Sequence, residues 1–143
     1  MTDGRLATVK LVNEADATGR VAEIFADIKR TKNIDFIPNF WRTLATNPLQ
    51  LDVVWSSLKR LMHPEAEGRQ ARLDSRTREM IAVAVSATNG CAYCVNSHTA
   101  ALKKLGVDDE TLGEVLAVAG LFNMTNMLAD GYQIEPDVRP PQD

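Results

Sequence analysis

The sequence predicts an all-α fold of five or six helices, and three observations carry that expectation. Apolar residues recur at three- and four-residue spacings along most of the chain, while no segment alternates apolar and polar residues as a half-buried strand would. Proline and glycine fall between the periodic segments rather than inside them. At 143 residues the chain suits one domain, spanning 1–143 with a core over about 14–131 and a loose proline-rich tail over 132–143.

Val21, Ile24, Phe25 and Ile28 follow i, i+3, i+4, i+7, which predicts an amphipathic helix over residues 17–31 starting near Asp16 or Thr18. Asn39 is placed to cap a short helix through Phe40, Trp41 and Leu44. Asn47 and Pro48 then read as cap and first residue of a longer helix. Leu51, Val54, Trp55, Leu58, Leu61 and Met62 carry it to His63, which precedes Pro64 and is pushed out of the helical region. The polar stretch "PEAEGRQAR" is a surface connection.

Asp74 is placed to cap a helix through "SRTREMIAVAVSAT", whose apolar residues fill nearly every position after Glu79, so this helix should be central. Asn89-Gly90 offers the left-handed backbone that ends a helix. Periodicity resumes from Cys91 to Leu105 and stops at Gly106, giving a helical hairpin. Asp108 or Asp109 begins a last long helix to Gly131, with Leu112, Val115, Leu116, Ala119, Phe122 and Asn126 near one face.

Composition excludes several classes. Hydrophobic and charged fractions of 45% and 24% are those of an ordinary globular chain, so disorder and fibrous structure drop out. The net charge of −3, with no basic stripe interleaved with aromatics, argues against nucleic acid as a partner. Charge is uneven: from Gly106 onward eight acids face the single base Arg139, which reads as a solvated acidic face or as charge-complementary subunit packing. The N-terminus lacks a signal-like apolar segment, and the run Met80 to Val85 is far shorter than the roughly 20 residues of a membrane span, so the expected location is the cytoplasm with no membrane partner.

The chain has two cysteines, three residues apart, which cannot staple distant parts of a fold and point instead to a reactive or metal-binding pair. Cys91, Cys94 and His98 are spaced by three and four, so a helix places them on one face, and the line continues into Leu102 and Leu105. The start of a helix favours a thiolate, because its backbone N–H groups lack partners and the dipole is positive there.

In one continuous helix Glu79 would lie roughly 18 Å from Cys91, at 1.5 Å rise per residue. If the chain reverses at Asn89-Gly90, Glu79 comes beside His98 instead. A carboxylate orienting an imidazole that in turn stands near a thiol is an arrangement that activates a nucleophile. The competing readings are two small buried cysteines with no role, or a zinc site built from Glu79, Cys91, Cys94 and His98. Structural zinc usually takes its C-x-x-C from a knuckle turn rather than a helix start, which leaves the metal prediction at none.

The pattern E-x11-C-x-x-C-x-x-x-H, preceded by "LDSRTRE" and followed by "HTAALKKLG", resembles the alkylhydroperoxidase D (AhpD) and carboxymuconolactone decarboxylase superfamily. "IPNFWRTLATNP" and "FNMTNMLAD" extend the similarity over about residues 14 to 137. The resemblance implies an AhpD-like all-helical domain that assembles as a homo-oligomer, a trimer or hexamer, and a thiol-dependent reduction of hydroperoxides. It implies Cys94 as the peroxidatic thiol, Cys91 as its disulfide partner, and Glu79 and His98 as a proton relay. Decarboxylases of the superfamily typically lack the cysteine pair. Tyr93 departs from AhpD itself, which has a histidine between the cysteines, and a phenol is no base near neutral pH.

The predicted chemistry uses no bound cofactor: Cys94 attacks a hydroperoxide, Cys91 resolves the sulfenate, and an external thiol or lipoyl-type dithiol reduces the disulfide. Alternatives are a redox-switched interaction module with little turnover and a cysteine-independent lactone decarboxylase. His63 is assigned no function, and Trp41, Trp55 and Phe40 read as core or subunit contacts. Asn39, Asn123 and Asn126 read either as pocket residues or as capping (Asn39) and inter-helix hydrogen bonding, and Ser86 is undecided.

Overall fold

The computed structural model describes residues 6–142. Among them are six α-helices, two short 3-10 turns and no strand, as the sequence predicts. They fall into two compact units, the first ending at Arg72 and the second beginning at Leu73.

The first unit holds α1 (Gly19–Lys32), α2 (Asn39–Leu44) and α3 (Pro48–Met62). Val21, Ile24, Phe25 and Ile28, the predicted stripe of α1, are all buried and form one core with Ile37, Trp41, Ala45, Leu51 and Trp55. Trp41 and Trp55 meet edge to face with ring centroids 5.2 Å apart, the arrangement favoured by the ring quadrupole. Asp27 on α1 ties the unit together: its carboxylate accepts from Trp55 Nε1 at 2.8 Å and from Lys59 Nζ on α3, and it also pairs with Arg30. Partial burial pushes the Asp27 carboxyl up, but the hydrogen bonds from Lys59 and Trp55 outweigh this and hold it below its usual range.

Asn47 caps α3, its side chain accepting from the Gln50 N–H, with Pro48 at the first helical position as predicted. The cap assigned to Asn39 belongs to Pro38. The Pro38 carbonyl accepts from the N–H groups of Trp41 and Arg42, so Asn39 is the first helical residue and its side chain accepts from Arg42 Nη1. His63 terminates α3 half-buried, and Pro64, buried, opens a 3-10 turn over Pro64–Glu67 within the predicted connection.

The second unit holds α4 (Ser75–Thr88), α5 (Ala92–Lys104) and α6 (Asp109–Gly131). Asp74 and Asp108 cap α4 and α6, each accepting at 2.8 Å from the N–H three residues on, Thr77 and Thr111. Their core is Val83, Leu102 and Val107, with Met80 and Leu112 packed against it. Gly106, at φ 79°, ends α5: its N–H donates to the Lys103 carbonyl and that of Val107 to the Leu102 carbonyl, which folds Val107 back against the core.

Helix α4 is the central helix of this unit, as expected, packing against both α5 and α6, but much of its apolar surface is not covered there. Only Val83 and Ser86 of α4 are buried, while Ile81 and Val85 are about half exposed. An apolar residue on every face shows that a helix is to be covered, not by which neighbour. Helix α6 shows the same in stronger form, since none of its residues is buried and Leu116, Val118, Leu121, Phe122, Met124, Met127 and Leu128 are exposed. Of its predicted face, only Leu112, Val115 and Ala119 are partly buried. By length and composition α6 is one helix long and apolar enough to cross a membrane. Asn123, Thr125 and Asn126 interrupt its apolar surface, and such groups are costly in hydrocarbon. Beyond it, residues 134–142 have no regular structure and are exposed.

Candidate functional site

The site is built at the reversal between α4 and α5. Asn89 keeps right-handed helical angles, and Gly90 alone turns left-handed, at φ 70°. The Gly90 N–H donates to the Ala87 carbonyl and the Cys91 N–H to the Ser86 carbonyl at 2.9 Å, closing α4 in a paired-bond motif that needs a residue of positive φ at its centre. Glycine meets that need without the steric penalty of a Cβ.

Cys91 therefore has two structural duties. Its backbone finishes α4, and it is the N-cap of α5, with its Sγ accepting from the Cys94 N–H at 3.2 Å. Cys91 and Cys94 are joined by a disulfide, with Cα atoms 5.3 Å apart. Both are half-buried, as is His98 one turn further along the same face, and the line ends at the buried Leu102.

On α4 the buried side carries Glu79, Val83 and Ser86 at i, i+4 and i+7. Because the chain reverses at Gly90, this side meets the Cys94, His98, Leu102 line of α5, and Glu79 and His98 come together. His98 Nδ1 donates to Glu79 Oε2 at 2.7 Å, with the two side chains 27% and 13% exposed. With Nδ1 engaged, the free ring nitrogen Nε2 is the one that can exchange a proton with a sulfur substituent. Side chains on a helix lean toward its N-terminus, so the His98 ring leans toward the turn that holds Cys94.

All four predicted site residues thus lie in one hairpin. The two sulfurs are bonded to each other, and among the described residues no group of three or more His, Cys, Asp and Glu is arranged to hold a metal ion. Tyr93 is exposed, and its carbonyl accepts from the Ser97 hydroxyl.

The undecided residues sort differently. Asn123 Nδ2 donates to Thr88 Oγ1 at 3.0 Å, tying α6 to the last residue of α4, so the inter-helix reading of Asn123 describes its contact. Asn126 lines an open depression with Asp130, Gln133 and Glu135 instead. Ser86 contributes through its carbonyl, and Arg76 Nε donates to the Leu105 carbonyl, holding the far end of α5. Sequence reading missed Thr88, Arg76 and the Ser86 carbonyl. A backbone acceptor has no residue-type signature, and the two side chains act over separations of 35 and 29 residues.

Residues 58–131, which include the whole hairpin, match the carboxymuconolactone decarboxylase family. The crystal structure of an alkylhydroperoxidase AhpD core from Rhodospirillum rubrum is similar over 93% of this chain and 96% of its own, with 40% sequence identity and a TM-score of 0.85. An alkyl hydroperoxide reductase AhpD from Streptomyces griseus is 42% identical over 56 residues, 39% of this chain and 32% of that protein. The uncharacterized protein YdfG of Bacillus subtilis is 31% identical over 61 residues, 43% of this chain and 42% of that one. The chain spans about a third of the length of the AhpD relative and two fifths of YdfG. Its fold, its matched segment and its near-complete overlap with the solved AhpD core place it together: the chain belongs to the carboxymuconolactone decarboxylase family.

Proposed function

We propose that this protein is an alkylhydroperoxidase-type enzyme, a thiol-dependent peroxidase that reduces organic hydroperoxides. The observation that carries the reading is the Glu79–His98 hydrogen bond of 2.7 Å beside the Cys91–Cys94 pair. The AhpD relatives, matched over part of their length, support the same reaction class.

In the reduced enzyme His98 takes the Cys94 proton through Nε2, with Glu79 fixing the ring and stabilising its charged form. The Cys94 thiolate attacks the distal oxygen of ROOH. The O–O bond breaks, and ROH leaves with the proton returned by His98, leaving Cys94 as sulfenic acid. The Cys91 thiol then displaces water to form the disulfide. A dithiol of lipoyl type reduces that bond and is itself oxidised, so no bound cofactor or metal enters the cycle.

Tyr93 supplies no base between the cysteines, which leaves His98 as the only imidazole of the relay. The exposed apolar residues of α6, with Ile81 and Val85 of α4, support assembly with further copies of this chain as a trimer or hexamer. The setting is cytoplasmic, with neither nucleic acid nor membrane as partner. Turnover of cumene hydroperoxide with dihydrolipoamide tests the reading. The wild-type protein should consume both in equal amounts and Cys94→Ser should not, whereas unchanged turnover in that variant removes Cys94 from the mechanism. Sedimentation velocity tests the assembly, and a monomer at micromolar concentration counts against it.

A further inference from the structure

The two sulfurs of the disulfide are chemically alike in sequence but not in place. We propose that the reducing thiol attacks Cys94 Sγ and that Cys91 is the sulfur that leaves. The inference rests on the redox reading of the pair.

Two independent features of the hairpin point the same way. The first concerns the leaving group. Cys91 is the N-cap of α5, and its Sγ accepts the Cys94 N–H at 3.2 Å. Thiolate released there keeps a charge-assisted hydrogen bond and faces the positive end of the helix dipole, and thiol–disulfide exchange is faster when the departing thiolate is stabilised. Cys91 is also held from the other side, because its N–H donates to the Ser86 carbonyl at 2.9 Å, so the cap geometry survives opening of the bond.

The second feature concerns the attacking group. A thiol must lose its proton to become a nucleophile, and His98 is the hairpin's imidazole, with its Nδ1 already held by Glu79. Along the α5 axis His98 stands roughly 6 Å from Cys94 and roughly 10 Å from Cys91, at 1.5 Å per residue. Base assistance therefore acts at Cys94, the sulfur opposite the stabilised leaving group.

The first thiol of a dithiol gives its proton to His98 Nε2, its sulfur bonds to Cys94 Sγ, and the Cys94–Cys91 bond breaks with both electrons on Cys91. The second thiol of the reductant then attacks its own sulfur in the mixed disulfide, closing the oxidised reductant and expelling Cys94 as thiolate. His98 returns its proton to Cys94, and the proton of the second thiol goes to Cys91 through solvent.

A monothiol carries no second thiol of its own, so the mixed disulfide persists until another thiol attacks it and can be trapped before that. Oxidised wild-type protein is mixed with excess 2-mercaptoethanol, and within seconds a larger excess of N-ethylmaleimide at neutral pH caps both the freed cysteine and the remaining monothiol before either attacks the mixed disulfide. Fragment-ion mass spectrometry then locates the adduct. Expected is 2-mercaptoethanol on Cys94 and maleimide on Cys91, with about a ten-fold excess over the reverse isomer. An adduct mainly on Cys91, or an even split, overturns the inference while leaving the peroxidase reading intact. A disulfide that resists both 2-mercaptoethanol and dihydrolipoamide overturns the inference and the redox reading together. Adduct on Cys94 in a protein that turns over no hydroperoxide overturns the peroxidase reading alone.

Discussion

Glu79 and His98 are separated by 19 residues and joined by a 2.7 Å hydrogen bond, because the chain reverses once between them, at Gly90. The reversal converts a carboxylate far along one helix into the partner of an imidazole on the next. Substituting Glu79→Gln keeps the shape but removes the charge that stabilises imidazolium. The expected result is a fall of about 100-fold in peroxidase turnover, within the range for a positioned acid–base group. The helical circular dichroism spectrum should be unchanged. Activity within a few-fold of wild type would show that Glu79 only packs.

Gly90 carries the reversal at φ 70°, and a Cβ built there meets nothing within 4 Å. The cost of Gly90→Ala is therefore one of backbone conformation, about 1 kcal/mol for a left-handed alanine. Gly90→Asn, whose side chain tolerates that region, should recover part of the loss. Urea denaturation of the three proteins measures this, and equal stability of all three would mean that the turn is remade in another geometry.

Asp74 and Asp108 are held below the usual carboxyl range by hydrogen bonds from Thr77 and Thr111. A carboxyl depressed in the folded state binds protons less readily there than in the unfolded chain. Its stabilisation is full above the unfolded value, about 3.9, and is lost as pH falls through the lower folded value. The thermal midpoint should therefore decline below about pH 4. In Asp74→Asn the cap no longer titrates, so the decline should be shallower. A steeper acid dependence in the variant contradicts the assignment.

Trp55 in the first unit donates its indole N–H to Asp27 at 2.8 Å while its ring packs on Trp41. Trp55→Phe keeps much of the apolar contact and deletes a hydrogen bond to a charged acceptor, a loss of about 2 kcal/mol. The check is chemical denaturation, in which a change below about 0.5 kcal/mol would leave that bond without weight. Because Asp27 also accepts from Lys59, the double variant with Lys59→Met should be less than additive.

Much of this molecule is local and is written locally. The stripe from Val21 to Ile28, the caps at Asn47, Asp74 and Asp108, the glycine stops at Gly90 and Gly106, and the alignment of Cys91, Cys94 and His98 each depend on residues within about one or two turns. Short-range sterics and backbone hydrogen bonding determine them, so the chain specifies them before any long-range contact exists. Even the cap assigned one residue late, at Asn39 instead of Pro38, is an error of boundary within an element correctly placed.

Other features required the tertiary structure. Helical periodicity says which residues share a face, but the register between two helices is set by how their side chains interdigitate, here around Val83, Leu102 and Val107. That packing fixes Glu79 on His98 and Thr88 on Asn123, and it buries one side of α4 while leaving Ile81 and Val85 exposed. Sequence could name the carboxylate, the imidazole and the thiols; only packing between helices decided which of them meet.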